Sequence, residues 1–282
     1  MIPALISTLG GRETMAKIIA IANQKGGVGK TTTSVNLAAS LAATRRRVLL
    51  IDMDPQGNAT MGSGIDKSEL SHSSYDVLMG EAEIATAIVK AEDAGYDLLP
   101  ANSDLTAAEV ELLSISHRER QLNVAIQLIQ ENYDYVIIDC PPSLNMLTLN
   151  ALVAARSVII PMQCEYYVLE GLIVLVNTIE EIRSSLNPYL KIEGLLRTMY
   201  DPRNRLSYDV TQQLQQYFGD RLYRTVIPRN IRLAEAPSHG VPALIYDKTS
   251  RGAQAYLALA GEIVRREQDV PQSPAQVSTV LQ

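Results

Sequence analysis

Short apolar runs alternate with stretches of helical period along this 282-residue chain. Lys17–Asn23 (KIIAIAN), Val48–Asp52 (VLLID), Tyr133–Asp139 (YDYVIID) and Ser157–Pro161 (SVIIP) are too short for helices and predict buried strands. Weaker strands are expected at Tyr96–Pro100, Ile192–Thr198 and Val226–Pro228. Helical spacing marks Thr31–Ala43, with Val35, Leu37, Ala38 and Leu41 on its apolar face. It recurs at Leu105–Gln130 (broken near Ser116), Asn145–Ala155, Leu169–Leu186, Leu206–Phe218 and Ala253–Arg266. Shorter helical stretches are expected from Tyr75 to Lys90, and a Gly/Asn-rich loop from Pro55 to Gly64. Continuous apolar strands separated by helices predict an α/β fold, a mostly parallel twisted sheet with helices on both faces. Ligands of such sheets bind beyond the carboxyl ends of the strands. The chemistry is therefore expected just after Asn23, Asp52, Asp139 and Pro161.

Composition narrows this picture. At 46% hydrophobic and 20% charged, the chain suits one large domain, expected over residues 15–267. Residues 1–14 read as a flexible extension ahead of Met15, and Met15 is itself a candidate start. Residues 268–282 read as a polar, disordered tail. No apolar run approaches the roughly 20 residues that span a bilayer, and no basic start precedes the short N-terminal apolar stretch. Two cysteines, Cys140 and Cys164, are too few for a disulfide scaffold and fit a reducing, cytoplasmic setting.

The sharpest chemical signal follows the first strand. Lys25-Gly26-Gly27-Val28-Gly29-Lys30-Thr31-Thr32 joins a strand to a helix. Its glycines let the backbone curl so that successive N–H groups face phosphate oxygens, and the helix start adds its positive dipole end. Lys30 is expected to neutralise the β- and γ-phosphates of ATP, and the Thr31 hydroxyl to ligate Mg²⁺. Lys25 lies five residues before Lys30, placed to reach a nucleotide outside its own loop.

Acidic residues stand at two strand ends. Asp52 and Asp54 sit in Asp-Met-Asp-Pro-Gln-Gly-Asn, and Asp139 ends the third buried strand. An acid at a strand tip beside such a loop holds a Mg²⁺-bound water, a role that fits Asp139. Asp54 is placed to position the attacking water, with Gln56 beside it.

These motifs together resemble the ParA/Soj family of DNA-partition ATPases, within the deviant-Walker-A group that also holds MinD. The matching segments are Lys25–Thr32 (KGGVGKTT), Asp52–Asn58 (DMDPQGN), Val136–Ser143 (VIIDCPPS), Pro161–Gly171 (PMQCEYYVLEG) and Ile227–Gly240 (IPRNIRLAEAPSHG). The resemblance spans residues 16–265 and fits the short, chromosomal type without an N-terminal helix-turn-helix domain. It implies a P-loop fold and an ATP-dependent homodimer in which Lys25 reaches the partner's ATP and Gly26 lies at the close contact. Asp54 would serve hydrolysis and join Thr31 and Asp139 near Mg²⁺, while Pro228 and residues near Thr198 would border the adenine. A ParB-type centromere-binding partner and a nucleoid-associated location follow from the same likeness.

The chain carries a net charge of −6. Any nucleic-acid contact must therefore be a local patch. From Arg197 to Arg251 there are nine basic and five acidic residues, a net +4, which leaves −10 for the remainder. By the family resemblance, Arg203 and Arg232 match arginines implicated in nonspecific binding of double-stranded DNA. Such contacts read the backbone, not the bases.

Three other readings stay open at this level. A MinD-like membrane-cycling ATPase would carry a basic amphipathic C-terminal helix, whereas this chain ends VPQSPAQVSTVLQ, without a basic residue. An iron protein would hold an iron–sulfur cluster on two cysteines, but Cys140 directly follows the acidic strand end and Cys164 lies 24 residues on, a different spacing from that group's. A nucleotide-gated module in which hydrolysis is incidental would share every motif. The cargo (chromosome, plasmid or protein cluster) is not readable from the residues, and neither membrane nor cluster is expected.

Overall fold

The computed structural model describes residues 15–166 and 168–268. One eight-stranded sheet runs through them. Its strands are β1 (Lys17–Ile21), β2 (Val48–Asp52), β3 (Val89–Ala91), β4 (Tyr96–Leu99), β5 (Tyr135–Asp139), β6 (Ser157–Gln163), β7 (Lys191–Tyr200) and β8 (Leu222–Pro228). The spatial order is β3-β4-β2-β5-β1-β6-β7-β8, with parallel pairing everywhere except between β3 and β4. The helices are α1 (Lys30–Ala42), α2 (Asn58–Met61), α3 (Ser74–Met79), α4 (Ile84–Ala87), α5 (Leu105–Glu111) and α6 (Gln121–Gln127). They continue as α7 (Met146–Ala154), α8 (Val168–Ser185), α9 (Arg205–Phe218), α10 (Ile231–Glu235), α11 (Ala243–Tyr246) and α12 (Arg251–Gln268).

Strand periodicity divides the core in two. Ile18, Ala20, Leu49, Ile51, Val136 and Ile138 face one layer and pack with Leu122, Leu147 and Leu175 of α6, α7 and α8. Their neighbours Ile19, Ile21, Leu50 and Ile137 face the other and pack with Leu37 and Leu41 of α1 and Leu259 and Ile263 of α12. Strands β2 and β5 are buried at every position, which explains why they read as unbroken apolar runs. Each fully buried Leu or Ile contributes about 1.5–3 kcal/mol. The Asn187 side-chain amide donates to the carbonyls of Leu152 (3.0 Å), Val153 (3.1 Å) and Ala155 (2.6 Å), closing the end of α7 against the start of the β7 connection.

Four local readings change. Val89–Ala91 lies in the stretch read as helical but forms an antiparallel edge strand, because β4 offers an open edge that a short hairpin through Gly95 can pair. The predicted loop between Pro55 and Gly64 contains one turn of helix, α2, tied by its Thr60 to the end of β2. Strand β8 begins at Leu222, earlier than its most apolar residues suggested. Of the predicted tail, Gln268 is described and ends α12; the rest, and the predicted extension at 1–14, lie outside the described residues.

The register sets up the site. Asp139 pairs with Ile21 on one side and with Asp52 on the other. The loop after β1 and the two acidic strand ends therefore emerge side by side at the carboxyl edge of the sheet.

Candidate active site

Helix α1 starts without a side-chain cap. Its N-cap is Gly29 at φ 87°, in the left-handed region that favours glycine. The first intrahelical bond runs from Thr33 N to Gly29 O at 2.9 Å. The amides before it point out of the helix end, a ready anion site. The loop is pinned from behind. Gln163 donates to Gly27 O at 3.0 Å, and the Thr198 hydroxyl donates to Val28 O at 2.7 Å. Lys30 Nζ donates to Lys25 O at 3.1 Å, curling back across the loop. Burial lowers the Lys30 pKa, opposed by the nearby Asp139, Cys140 and Asp54.

Three carboxylates meet this loop and divide their duties. Asp52 is wholly buried and accepts from Thr60 N and Thr60 Oγ1, both at 2.8 Å, and from Asp54 N at 3.1 Å. It is a structural anchor for the loop that carries Asp54. Asp54 in turn accepts from Gln56 N at 2.9 Å, an Asx turn that orients its carboxylate. Asp139 is fully buried; Ser34 Oγ donates to its Oδ1 at 2.7 Å, and the Thr31 hydroxyl favours its charged form. Its Oδ2 has no hydrogen-bond partner among the described residues. Burial and the Asp52 charge push Asp139 up to about 8, and burial pushes Asp52 up to about 6. A buried orphan carboxylate oxygen beside a threonine hydroxyl is a hard-oxygen donor set that fits Mg²⁺.

Beside Gly29 and Thr32 lies a pocket of about 200 Å³, lined further by Thr198, Met199, Pro228 and Tyr256. Pro228 and the residues near Thr198 thus come together as expected, at the adjacent tips of β7 and β8. Met199 holds φ 48°, an uncommon conformation for a non-glycine residue, and it falls at this pocket. Sequence reading missed Tyr256, whose hydroxyl is 3.1 Å from Thr33 Oγ1, because it comes from the last helix of the described chain. It also missed Ser34 and Thr60, which carry no motif signal beyond an ordinary hydroxyl.

Lys25 does not point into this pocket. Its Nζ lies 2.5 Å from Glu165 Oε2, and both side chains are about half exposed. A Cβ added at Gly26 would meet nothing within 4 Å, so the loop presents an open face there.

The arginines behave differently from their count. Arg197 is buried, donating to Tyr223 O at 2.7 Å, and cannot join a surface patch. Arg221 precedes β8 while Arg229 and Arg232 follow it, so they lie at opposite ends of the sheet. Arg203 and Arg232 follow the adjacent parallel strands β7 and β8 and emerge at the same edge as the phosphate loop. Each is held by acids in its own chain. Arg203 pairs with Asp201 at 2.8 Å, and Arg232 pairs with Glu235 at 2.8 Å and Asp247 at 3.4 Å.

Comparison with known proteins settles the family. Residues 16–192 match a family model described as an AAA domain. The chain is 53% identical over 255 residues to the chromosome partitioning protein ParA of Caulobacter vibrioides, covering 90% of this chain and 96% of that one. It is 54% identical over 249 residues to the sporulation initiation inhibitor protein Soj of Bacillus subtilis, covering 88% and 98%. The chain belongs to the ParA/Soj family of ATPases. A crystal structure titled cobyrinic acid a,c-diamide synthase from Mycobacterium smegmatis, with bound ADP and magnesium, matches this ParA/Soj-family chain with TM-score 0.79 and 40% identity over 90% of it and 96% of that chain. The α/β P-loop fold expected from the apolar pattern is thereby shown.

The alternative readings meet these facts as follows. No helix among the described residues is long and apolar enough to cross a membrane. The apolar face of α12 (Ala253, Tyr256, Leu259, Ala260 and Ile263) is spent in the core against α1 and β8, as part of the fold. Cys140 and Cys164 are both free and buried, and burial pushes both thiols up in pKa.

Proposed function

We propose that this ParA/Soj-family chain is a partition ATPase whose single domain, residues 15–267, binds ATP and Mg²⁺, dimerises on them and then holds DNA nonspecifically. Gly27, Val28, Gly29, Lys30, Thr31 and Thr32 form the phosphate cradle, and Pro228 borders the base. Thr31 and Asp139 would hold Mg²⁺, with Asp54 near it. Bound there, the metal neutralises charge on the β- and γ-phosphates. Lys30 places a positive charge where negative charge builds on the transferred phosphoryl group. Asp54, fixed by its Asx turn and by Asp52, orients the attacking water. Lys25, turned out of its own pocket beside the open face of Gly26, serves the nucleotide of a second copy.

The observation that carries this reading is the register that sets the uncapped start of α1, Lys30, Asp54 and the orphan oxygen of Asp139 around one point. Arg203 and Arg232, at the same sheet edge, contact DNA phosphates. Each copy offers few such contacts, so the dimer is needed for useful affinity. A ParB-type partner stimulates hydrolysis, the dimer separates and DNA is released, which places the protein in the cytoplasm on the nucleoid. The names of the ParA and Soj relatives support chromosome cargo.

Two variants test the cycle. Lys30→Ala removes the phosphate charge and is expected to abolish binding of a fluorescent ATP analogue. Asp54→Ala is expected to leave an ATP-bound dimer that stays on DNA. Rapid phosphate release by the Asp54 variant would overturn the assignment.

A further inference from the structure

The segment that follows α10 is gripped from two sides by elements of the phosphate site. On one side, Asn36 Oδ1 of α1 accepts from Ala243 N at 2.8 Å, and Asn36 Nδ2 donates to Thr32 O at 2.8 Å. That chain of bonds leads directly from the phosphate loop to residue 243. On the other side, the turn after α2 meets the turn after the 3₁₀ stretch Ala236–His239, backbone against backbone. A Cβ on Gly64 would lie 2.8 Å from Gly240 O, and one on Gly240 would lie 2.9 Å from Gly64 Cα. Both glycines have positive φ, 81° and 64°. Only glycine at both places permits this approach.

The grips start from the site. Thr60 of α2 is bonded to Asp52, which also holds Asp54 N. They end on α10, because Ala236–His239 continues directly from Ile231–Glu235, which carries Arg232. Between the grips the packing is open. A cleft of about 450 Å³ separates Thr31, Thr32, Asn58 and Met61 on the nucleotide side from Pro237 and Ser238 on the other. Interfaces with two discrete arrangements transmit small shifts, whereas close-packed cores resist them.

We propose that residues 236–243 are a lever between the phosphate site and α10, and that occupancy of the site narrows this cleft and re-aims Arg232. The proposal deepens the partition reading above and rests on it for the role of Arg232. It requires two arrangements, the open cleft described here and a narrowed one, with the Gly64–Gly240 contact as pivot. Coupling between sites typically amounts to about 5–150-fold in affinity.

Two measurements on the full chain test it. In the wild-type protein, amide hydrogen exchange across residues 231–243 is expected to slow when ATP and Mg²⁺ are added. Unchanged exchange there, with protection of the phosphate loop, overturns the lever whatever DNA does. The second uses Met61→Cys with Ser238→Cys, joined by a short reducible thiol crosslinker; both native cysteines are buried. The crosslinked protein is expected to bind a fluorescent ATP analogue normally but to change by at least about tenfold the gain in DNA affinity that ATP brings. Reduction of the crosslink restores the wild-type gain and shows that the fold was intact. An unchanged gain, or loss of nucleotide binding itself, overturns the lever. Absence of any ATP-dependent DNA binding in the wild type defeats the partition reading instead, and the exchange result still decides the lever.

Discussion

Lys25 and Glu165 form an ion pair at 2.5 Å, across the mouth of the phosphate loop, with both side chains about half exposed. Glu165 follows β6, and Gln163 of the same strand holds Gly27 O. The free chain thus occupies its outward lysine with an acid of its own. Exposed pairs contribute about 0.2–1 kcal/mol. Glu165→Gln is expected to free Lys25 and to strengthen ATP-dependent self-association by up to about fivefold, with weaker dependence on salt. Sedimentation with a non-hydrolysable ATP analogue measures this. Weaker association would mean that Glu165 acts in the dimer and not against it.

The two DNA arginines compete with internal partners in the same way. Removing Arg203 and Arg232 together is expected to weaken DNA binding uniformly across sequences and to lower the salt slope by about two, roughly one for each lost phosphate contact. Asp201→Asn releases Arg203 and is expected to raise DNA affinity severalfold at moderate salt. Fluorescence anisotropy over a salt series reads both. An unchanged slope in the double variant places the patch elsewhere.

The acid pair sets a pH dependence on stability. Burial, with the Asp52 charge, raises Asp139 to about 8, and burial raises Asp52 to about 6. An acid with a raised pKa binds its proton more tightly folded than unfolded, so its stabilisation is complete below about pH 4 and is lost as pH rises through the folded value. In chelator, the protein is expected to lose thermal stability between about pH 5 and 8, and Asp139→Asn is expected to flatten that slope. Melting curves across the range check it; a slope of equal size in the variant would locate the effect in other groups.

Asn187→Ala probes the fold apart from the site. It strips the side-chain donor from three α7 carbonyls and is expected to cost about 1–3 kcal/mol in urea unfolding. ATP affinity should be unchanged, since α7 contributes nothing to the nucleotide pocket. A neutral result would mean that water replaces the amide.

The sequence alone was enough to place the phosphate loop, the acidic strand ends and the layered α/β architecture, because each depends on local pattern. Buried parallel strands require unbroken apolar runs, and a phosphate-binding loop requires glycines and a lysine at close spacing. What depended on distant contacts was not readable. The count from Arg197 to Arg251 suggested one basic patch, yet Arg197 is buried and Arg221 lies at the far end of the sheet. Asp52 and Asp54 looked alike in sequence, and only the tertiary fold made one an anchor for Thr60 and left the other to the site. The same holds for Lys25 and Glu165, 140 residues apart, and for Gly64 and Gly240, which no sequence spacing joins. Strand register and chain crossing decide which polar groups meet, and that information is spread over the whole core.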